Sequence, residues 1–363
     1  MLALLAGMVY VFFLREWVNL AYEGSAPSWF QELIDHLYPR FAVEKQRFEL
    51  AFFLQKADQI IIRLLLFTSV IGWLLWINLS AVRINRLSPL KTNIFYTGLR
   101  LVFYLGLLYF SWHWYEDFPR LVRIEAFYKP TYLLQLMGLP ILSLEIFYLL
   151  FAVYFICLLM VLLGQGKVAF SLITAALLIF FQAYFYSFEK VEHSYSTMNY
   201  VALMMPALFY ELSRQKGQKQ KRSWVLFLMQ ATVAGIYFLA GMEKLLSSGL
   251  DWATAETFRT YIMLHDQEPG LWVAKSDFLS HLLPWTALLI QLGFPLILFF
   301  PRYKYLILLL GVSFHLGTRL LFGIGPYFSS WLLAYAVFID WDLLSLKIRD
   351  LIADRQIRAK KGA

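Results

Sequence analysis

Charge is scarce in this 363-residue chain: Asp, Glu, Lys and Arg fill 15% of positions, where ordinary soluble domains carry about a quarter. That shortage excludes a water-soluble globular domain. Cysteine is nearly missing too, and Cys157 lies inside an apolar run. No disulfide framework, thiol pair or cysteine-held metal cluster is open to the chain, and its redox compartment stays undetermined. The apolar stretch Leu2–Leu14 has neither a basic leading segment nor a small-residue cleavage site before Arg15, so it reads as a retained first span rather than a signal peptide. His36, His113, His265 and His281 fall in loops or at interfaces with no metal-ligand spacing among them, and no metal is expected. No internal repeat marks a transporter built from duplicated halves.

What is abundant is apolar surface, 60% of positions, in recurring runs of about the 20 residues that a helix needs to cross a bilayer. The expected fold is all-α: a polytopic transmembrane helix bundle of about ten spans. They are placed near 2–19, 60–82, 94–112, 141–163, 168–188, 196–212, 224–242, 284–300, 305–322 and 327–340. Residues 1–59 form a first span and an external segment, 60–341 the bundle, and 342–363 a basic tail. Between Ser28 and Gln59, apolar residues such as Trp29, Leu33 and Phe52 recur with charges at helical spacing. This suits either helices lying on the outer membrane surface or a solvated linker packed on the bundle.

The net charge of +8 follows from topology. Arg83, Arg86 and Lys91 share one connection and Arg214, Lys216, Lys219, Lys221 and Arg222 another, while Lys167, Arg302, Lys304 and the tail from Lys347 fall in alternate connections on the same side. The positive-inside bias makes that side cytoplasmic, with both termini inside and the cell inner (plasma) membrane as the site. No nucleic-acid partner is needed to explain the charge. The 243–283 connection is mildly acidic and belongs outside.

On this topology three titratable groups reach the outer leaflet: His193 and Lys244 at the outer ends of their spans, and His315 about ten residues into a helix that runs outward from Lys304. Lys244 closes the nearly uncharged run Trp224–Met242. A cation there is costly unless something uses it, though a snorkelling anchor is the competing reading. Arg319, four residues after His315, lies on the same helix face and either lines a cavity with it or reaches the outer headgroups. His193 either serves a site or bonds Glu189 or Glu192 at the interface, and His315 either shapes a cavity or ties two helices together. Gly323-Ile-Gly-Pro326 reads as a tight turn, with no phosphate-loop context.

Three strings, Glu192-His-Ser-Tyr195, Tyr237-x-x-Ala-Gly-x-x-Lys-Leu245 and Phe314-His-x-x-x-x-Leu-Phe-x-Ile-Gly325, resemble in order three motifs of the HTTM domain. This is the membrane domain shared by vitamin K-dependent γ-carboxylases and many bacterial proteins. The resemblance covers roughly residues 60–340. It implies chemistry on a lipid quinol, vitamin K-like, at the extracytoplasmic leaflet, with Lys244 as base and His193 positioning the quinol or a developing oxyanion. Lyase or quinol-dependent oxidoreductase activity is the implied class, with a membrane lipid or quinone as partner and a peptide or protein as a further substrate. A lysine must shed its proton to act as a base near neutral pH, and removal from water favours the neutral amine.

Several departures from the family pattern count against carboxylation of protein glutamates. Glu243 stands where a second lysine often occurs, and Thr318 and Arg319 replace an Asn-Ser-like stretch. Only a short basic tail follows Trp341. The competing expectation is a non-catalytic membrane protein for maturation, export or immunity of a partner peptide. A transporter ranks last, with Glu145 the one clear intramembrane acid.

Overall fold

The computed structural model describes residues 13, 15–38, 41–79, 90–188, 195–325, 329–348 and 350. The apolar runs are helices, as expected, and several begin where a short polar side chain supplies the missing acceptor. The amino-terminal part holds α1 (Arg15–Glu23), α2 (Ser28–Leu37), α3 (Phe41–Glu44) and the 30-residue α4 (Leu50–Leu79). Ala21, Phe30, Phe41 and Phe53 form a small apolar cluster of their own there. α4 runs through residues 59 and 60, where the external segment was expected to give way to the bundle.

The bundle is built from α5 (Asn93–Val122), α6 (Tyr132–Leu136), α7 (Leu144–Leu162), α8 (Lys167–Phe185), α9 (Ser196–Ser213) and α10 (Trp224–Ser248). It continues through α11 (Ala255–His265), α12 (Glu268–Ala274), α13 (Asp277–Gly293), α14 (Leu296–Phe299), α15 (Lys304–Phe322) and α16 (Ser330–Ala334). Ser143 accepts from the Ile146 N–H to start α7, and Ser223 from Leu226 to start α10. A single core runs through α5, α7, α8, α9, α10 and α16, with Tyr104, Tyr154, Tyr184 and Tyr237 fully buried in it.

Five stretches are long and apolar enough to cross a membrane: Asn93–Leu121, Leu144–Leu162, Lys167–Phe185, Trp224–Ala253 and Pro301–Phe322. The described residues therefore support a membrane-type all-α bundle, but not the expected ten spans. Two of those ten fail for physical reasons. The run 284–300 breaks after Gly293, where Phe294 and Pro295 separate α13 from the four-residue α14; proline offers no N–H to continue the ladder. The run 327–340 holds only α16 and a 3-10 turn at Tyr335–Val337. Eight helical residues rise roughly 12 Å, against about 30 Å of hydrocarbon. The first expected span, apart from its end in α1, lies outside the described residues.

The basic connections do gather at one end. Strands β1 (Leu90–Thr92) and β2 (Gln220–Arg222) pair antiparallel with Lys91 opposite Lys221, which places the starts of α5 and α10 side by side. Lys91 donates to Asp340 at 2.9 Å. Asp342 accepts from the Thr92 and Phe95 N–H groups at 3.2 and 3.0 Å, so a carboxylate late in the chain caps the start of α5. Burial works against the charge on Asp340, but Lys91, with help from the Leu343 N–H and Lys304, outweighs it and holds this carboxyl below its usual range.

Candidate functional site

Tyr237 sits midway along α10 and is 1% exposed. Its ring stacks on Phe294 with centroids 4.1 Å apart and meets Trp331 edge-on at 5.1 Å. The break after α13 is what turns Phe294 onto this ring, so a feature that spoils a span also makes a wall of the site. The Tyr237 hydroxyl lies 2.5 Å from His315 Nε2 on α15 and 2.5 Å from the Tyr335 hydroxyl just after α16. Three helices thus contribute one polar chain, imidazole to phenol to phenol, within an aromatic cage.

A single proton on the Tyr237 oxygen can be donated to only one neighbour, so the other must donate to it. Whichever way the chain is polarised, each hydroxyl has a partner, and a proton can be passed along it without exposing a bare oxygen. Gly311 on α15 makes room for this arrangement: a Cβ there would lie 2.0 Å from the Tyr335 hydroxyl oxygen and 3.0 Å from Phe294 Cε2.

Lys244 lies seven residues beyond Tyr237, two helical turns on and within about 20° of the same face of α10. Its side chain leans back toward the helix start, as long helical side chains do. Nζ donates to the Ala240 carbonyl at 3.2 Å and stands 5.1 Å from the Trp252 ring centre. It is half-buried, and no carboxylate of the described residues lies within 4.0 Å of it. Between Tyr237 and Lys244, Gly241 lets α13 approach closely: a Cβ there would meet Leu292 at 2.9 Å and Gln291 at 3.2 Å. Gln291 is 4% exposed, and its Oε1 has no partner. An amide left unsatisfied beside Gly241 adds a third polar group to this face of α10.

The other expected site residues are placed as follows. His315 is joined to the Lys244-bearing helix through Tyr237 and makes no direct hydrogen bond to Lys244. Arg319 donates through Nη1 to the Gly323 carbonyl at 2.7 Å, and the Gly323 N–H returns to the Arg319 carbonyl at 2.9 Å. A cation at a helix C-terminus with glycine in the left-handed region is a stable helix ending, and Gly323 has φ +67°. His193 lies outside the described residues.

Tyr195, the last residue of the His193 string, lines a cavity of about 420 Å³ at the end of the bundle remote from β1 and β2. Trp114, Asp117, Arg120, Gln182 and Phe185 also face it, and His113 stacks on Tyr195 with centroids 6.2 Å apart. Gln182 accepts from Asn199 Nδ2 but leaves its own Nε2 unsatisfied. Sequence reasoning passed over Gln182 and Gln291, although an amide inside an apolar helix is itself a signal. No group of three His, Cys, Asp or Glu able to hold a metal occurs among the described residues.

The family model of the HTTM domain matches residues 103–342, about two thirds of the chain. The chain belongs to the HTTM family. No curated protein and no solved structure matches it. The HTTM match takes in the Tyr237–Leu245 and Phe314–Gly325 strings together with Tyr335, so the whole polar chain lies within the family domain. It ends at Asp342, the residue that caps α5.

Proposed function

We propose that this HTTM-family protein is a membrane enzyme acting on a lipid quinol or similar amphipathic substrate at the extracytoplasmic leaflet, with Lys244 as the base. The observation that carries the proposal is the setting of Lys244. Its amine is half-buried, free of any neighbouring carboxylate within 4.0 Å, and held on the same face of α10 as Tyr237. A carboxylate in contact would hold the lysine as ammonium; the adjacent Glu243 acts on it only from beyond 4.0 Å and in that same direction, and desolvation by an apolar ligand opposes it, favouring the neutral amine that base chemistry needs.

In this reading Lys244 takes the proton of a quinol hydroxyl, becoming ammonium as the oxygen becomes an anion. Tyr237 and His315 hold or return a proton about two turns away along the same face of α10, and Trp252, beside Lys244, supplies apolar surface for a ring. His193 keeps the role of positioning the ligand that the family resemblance implies, while Arg319, four residues after His315 on α15, is the candidate that helical spacing alone suggested. The end bearing Lys91, Lys167, Lys221 and Lys304 faces the cytoplasm, which puts Lys244 outward.

Purified protein with reduced menaquinone or vitamin K hydroquinone, under oxygen with and without carbon dioxide, tests this. Wild type is expected to oxidise the quinol. Lys244→Ala should lose about 100- to 10,000-fold, the usual worth of a positioned base, at unchanged melting temperature. Retained turnover in Lys244→Ala, or a loss that merely follows lost stability, overturns the assignment and leaves the non-catalytic role for a partner peptide.

A further inference from the structure

At the end of the bundle opposite Lys244, a second group of unused charges has no place in the chemistry above. Arg100, two turns into α5, packs its guanidinium against Gly164, where a Cβ would meet Nη1 at 2.4 Å. Its Nε is fully buried and has no partner. Among the described residues the Lys221 amine, in a residue 9% exposed, donates only to the Leu212 carbonyl at 3.3 Å. Lys167, exposed, begins α8, and the charges of both Arg100 and Lys221 reach it.

Three cations from three elements therefore converge, and no carboxylate of the described residues lies within 4.0 Å of any of them. The acid of the adjoining turn, Glu211, is taken up by Ser223 and by the Trp224 and Val225 N–H groups at the start of α10. The connection between α7 and α8 adds donors instead of neutralising charge. Gly164 and Gly166 have φ of +80° and +46°, and Gly166 gives α8 no side-chain cap. The first N–H groups of α8 therefore have no side-chain acceptor at the cap, and the positive end of the helix dipole lies at Lys167.

Like charges in a partly apolar setting repel, and a buried guanidinium nitrogen without an acceptor is costly. An anion with several oxygens removes both costs at once, and a phosphate group meets a guanidinium, an ammonium and helix N–H groups in that geometry. Next to this group, Leu149, Val153, Ile156 and Leu163 form an exposed apolar stripe along α7 that ends at Gly164. The surroundings thus set a group of cations at the end of an exposed apolar strip.

We infer that Arg100, Lys167, Lys221 and the Gly164–Gly166 turn form a phosphate-binding site for an anionic amphiphile, the headgroup of an anionic phospholipid or, from solution, a soluble phosphate ester. The site is distinct from the Lys244 face and does not depend on the reaction proposed there.

The test uses the full chain in neutral detergent with dioctanoyl phosphatidylglycerol, dioctanoyl phosphatidylcholine and glycerol 1-phosphate as probes, read by native mass spectrometry and thermal shift. Phosphatidylglycerol is expected to bind and raise the melting temperature, and phosphatidylcholine to do neither. The exposed variant Lys167→Glu should weaken phosphatidylglycerol binding by roughly tenfold or more, and Arg100→Gln further still if it folds. If glycerol 1-phosphate displaces the lipid at similar concentration, the phosphate comes from solution; if not, the site is one for lipid, and either result upholds it. Equal binding of phosphatidylcholine, no binding of any probe, or unchanged binding in Lys167→Glu overturns the inference.

Discussion

Replacing Gly311 by alanine should damage the polar chain more than any other single methyl group in the bundle. The added Cβ would stand 2.0 Å from the Tyr335 hydroxyl oxygen, 2.9 Å from its Cζ and 3.0 Å from Phe294 Cε2. Tyr335 is 4% exposed and cannot swing into solvent, so it must back away from α15. That movement breaks its 2.5 Å contact with Tyr237, whose hydroxyl then keeps only His315. Overpacking costs about 1–3 kcal/mol and a lost buried hydrogen bond about 1–3 kcal/mol more, giving roughly 2–6 kcal/mol in all. Thermal unfolding in detergent measures it. Tyr335→Phe alone should cost about 1–2 kcal/mol, because it removes the oxygen but not the ring. Combined with Gly311→Ala it should restore part of the loss, since the atom nearest the new methyl is gone. A Gly311→Ala protein as stable as wild type, or a double variant less stable than the two single losses added together, would refute the steric reasoning.

Three further outcomes follow from particular contacts. The Asp340 carboxyl is held below its usual range in the fold, so its stabilisation is complete above the unfolded carboxyl value and is lost as pH falls through the folded one. Asp340→Asn should flatten that acid-side loss in a melting-temperature profile and cost about 1 kcal/mol at neutral pH. Gly270→Ala would press a Cβ to 2.3 Å from the Leu321 backbone oxygen, which cannot rotate away, so α12 should lift from α15 and become sensitive to limited proteolysis. Gly241→Leu should force Leu292 and Gln291 off α10 and lower the melting temperature, with greater damage than Gly241→Ala.

Much of the fold was legible because lipid imposes a blunt rule: a helix must satisfy its own backbone, so long apolar runs are helices and cations collect at one end. Lys91, Lys167, Lys221 and Lys304 do gather as their spacing implied, since β1 pairs with β2 and the Asp340 carboxyl bonds Lys91 while the charge of Lys304 also acts on it. Hydropathy could not distinguish a spanning helix from an apolar segment folded back into the core. The residues around Pro295 and Ser330–Val337 are apolar because they wall Tyr237, not because they cross a bilayer.

In the candidate site, Lys244 and His315 stood out because charge and imidazole are rare in apolar runs. Tyr335 and Gly311 did not, because tyrosine and glycine are common there and only tertiary contact gives them meaning. Arg319 shared a face with His315 as its spacing required, yet its guanidinium reaches the Gly323 carbonyl, an ending that the local Gly323 pattern would have suggested.

The most direct test of the account is to find where a quinone rests. An azido-naphthoquinone photolabel, mapped by mass spectrometry, should leave adducts on the Tyr237–Lys244 segment and around Gln291 and Leu292, and Gly241→Leu should abolish them. Adducts confined to the cavity around His113 and Tyr195, or labelling untouched by Gly241→Leu, would contradict the assignment of Lys244 as the reacting base.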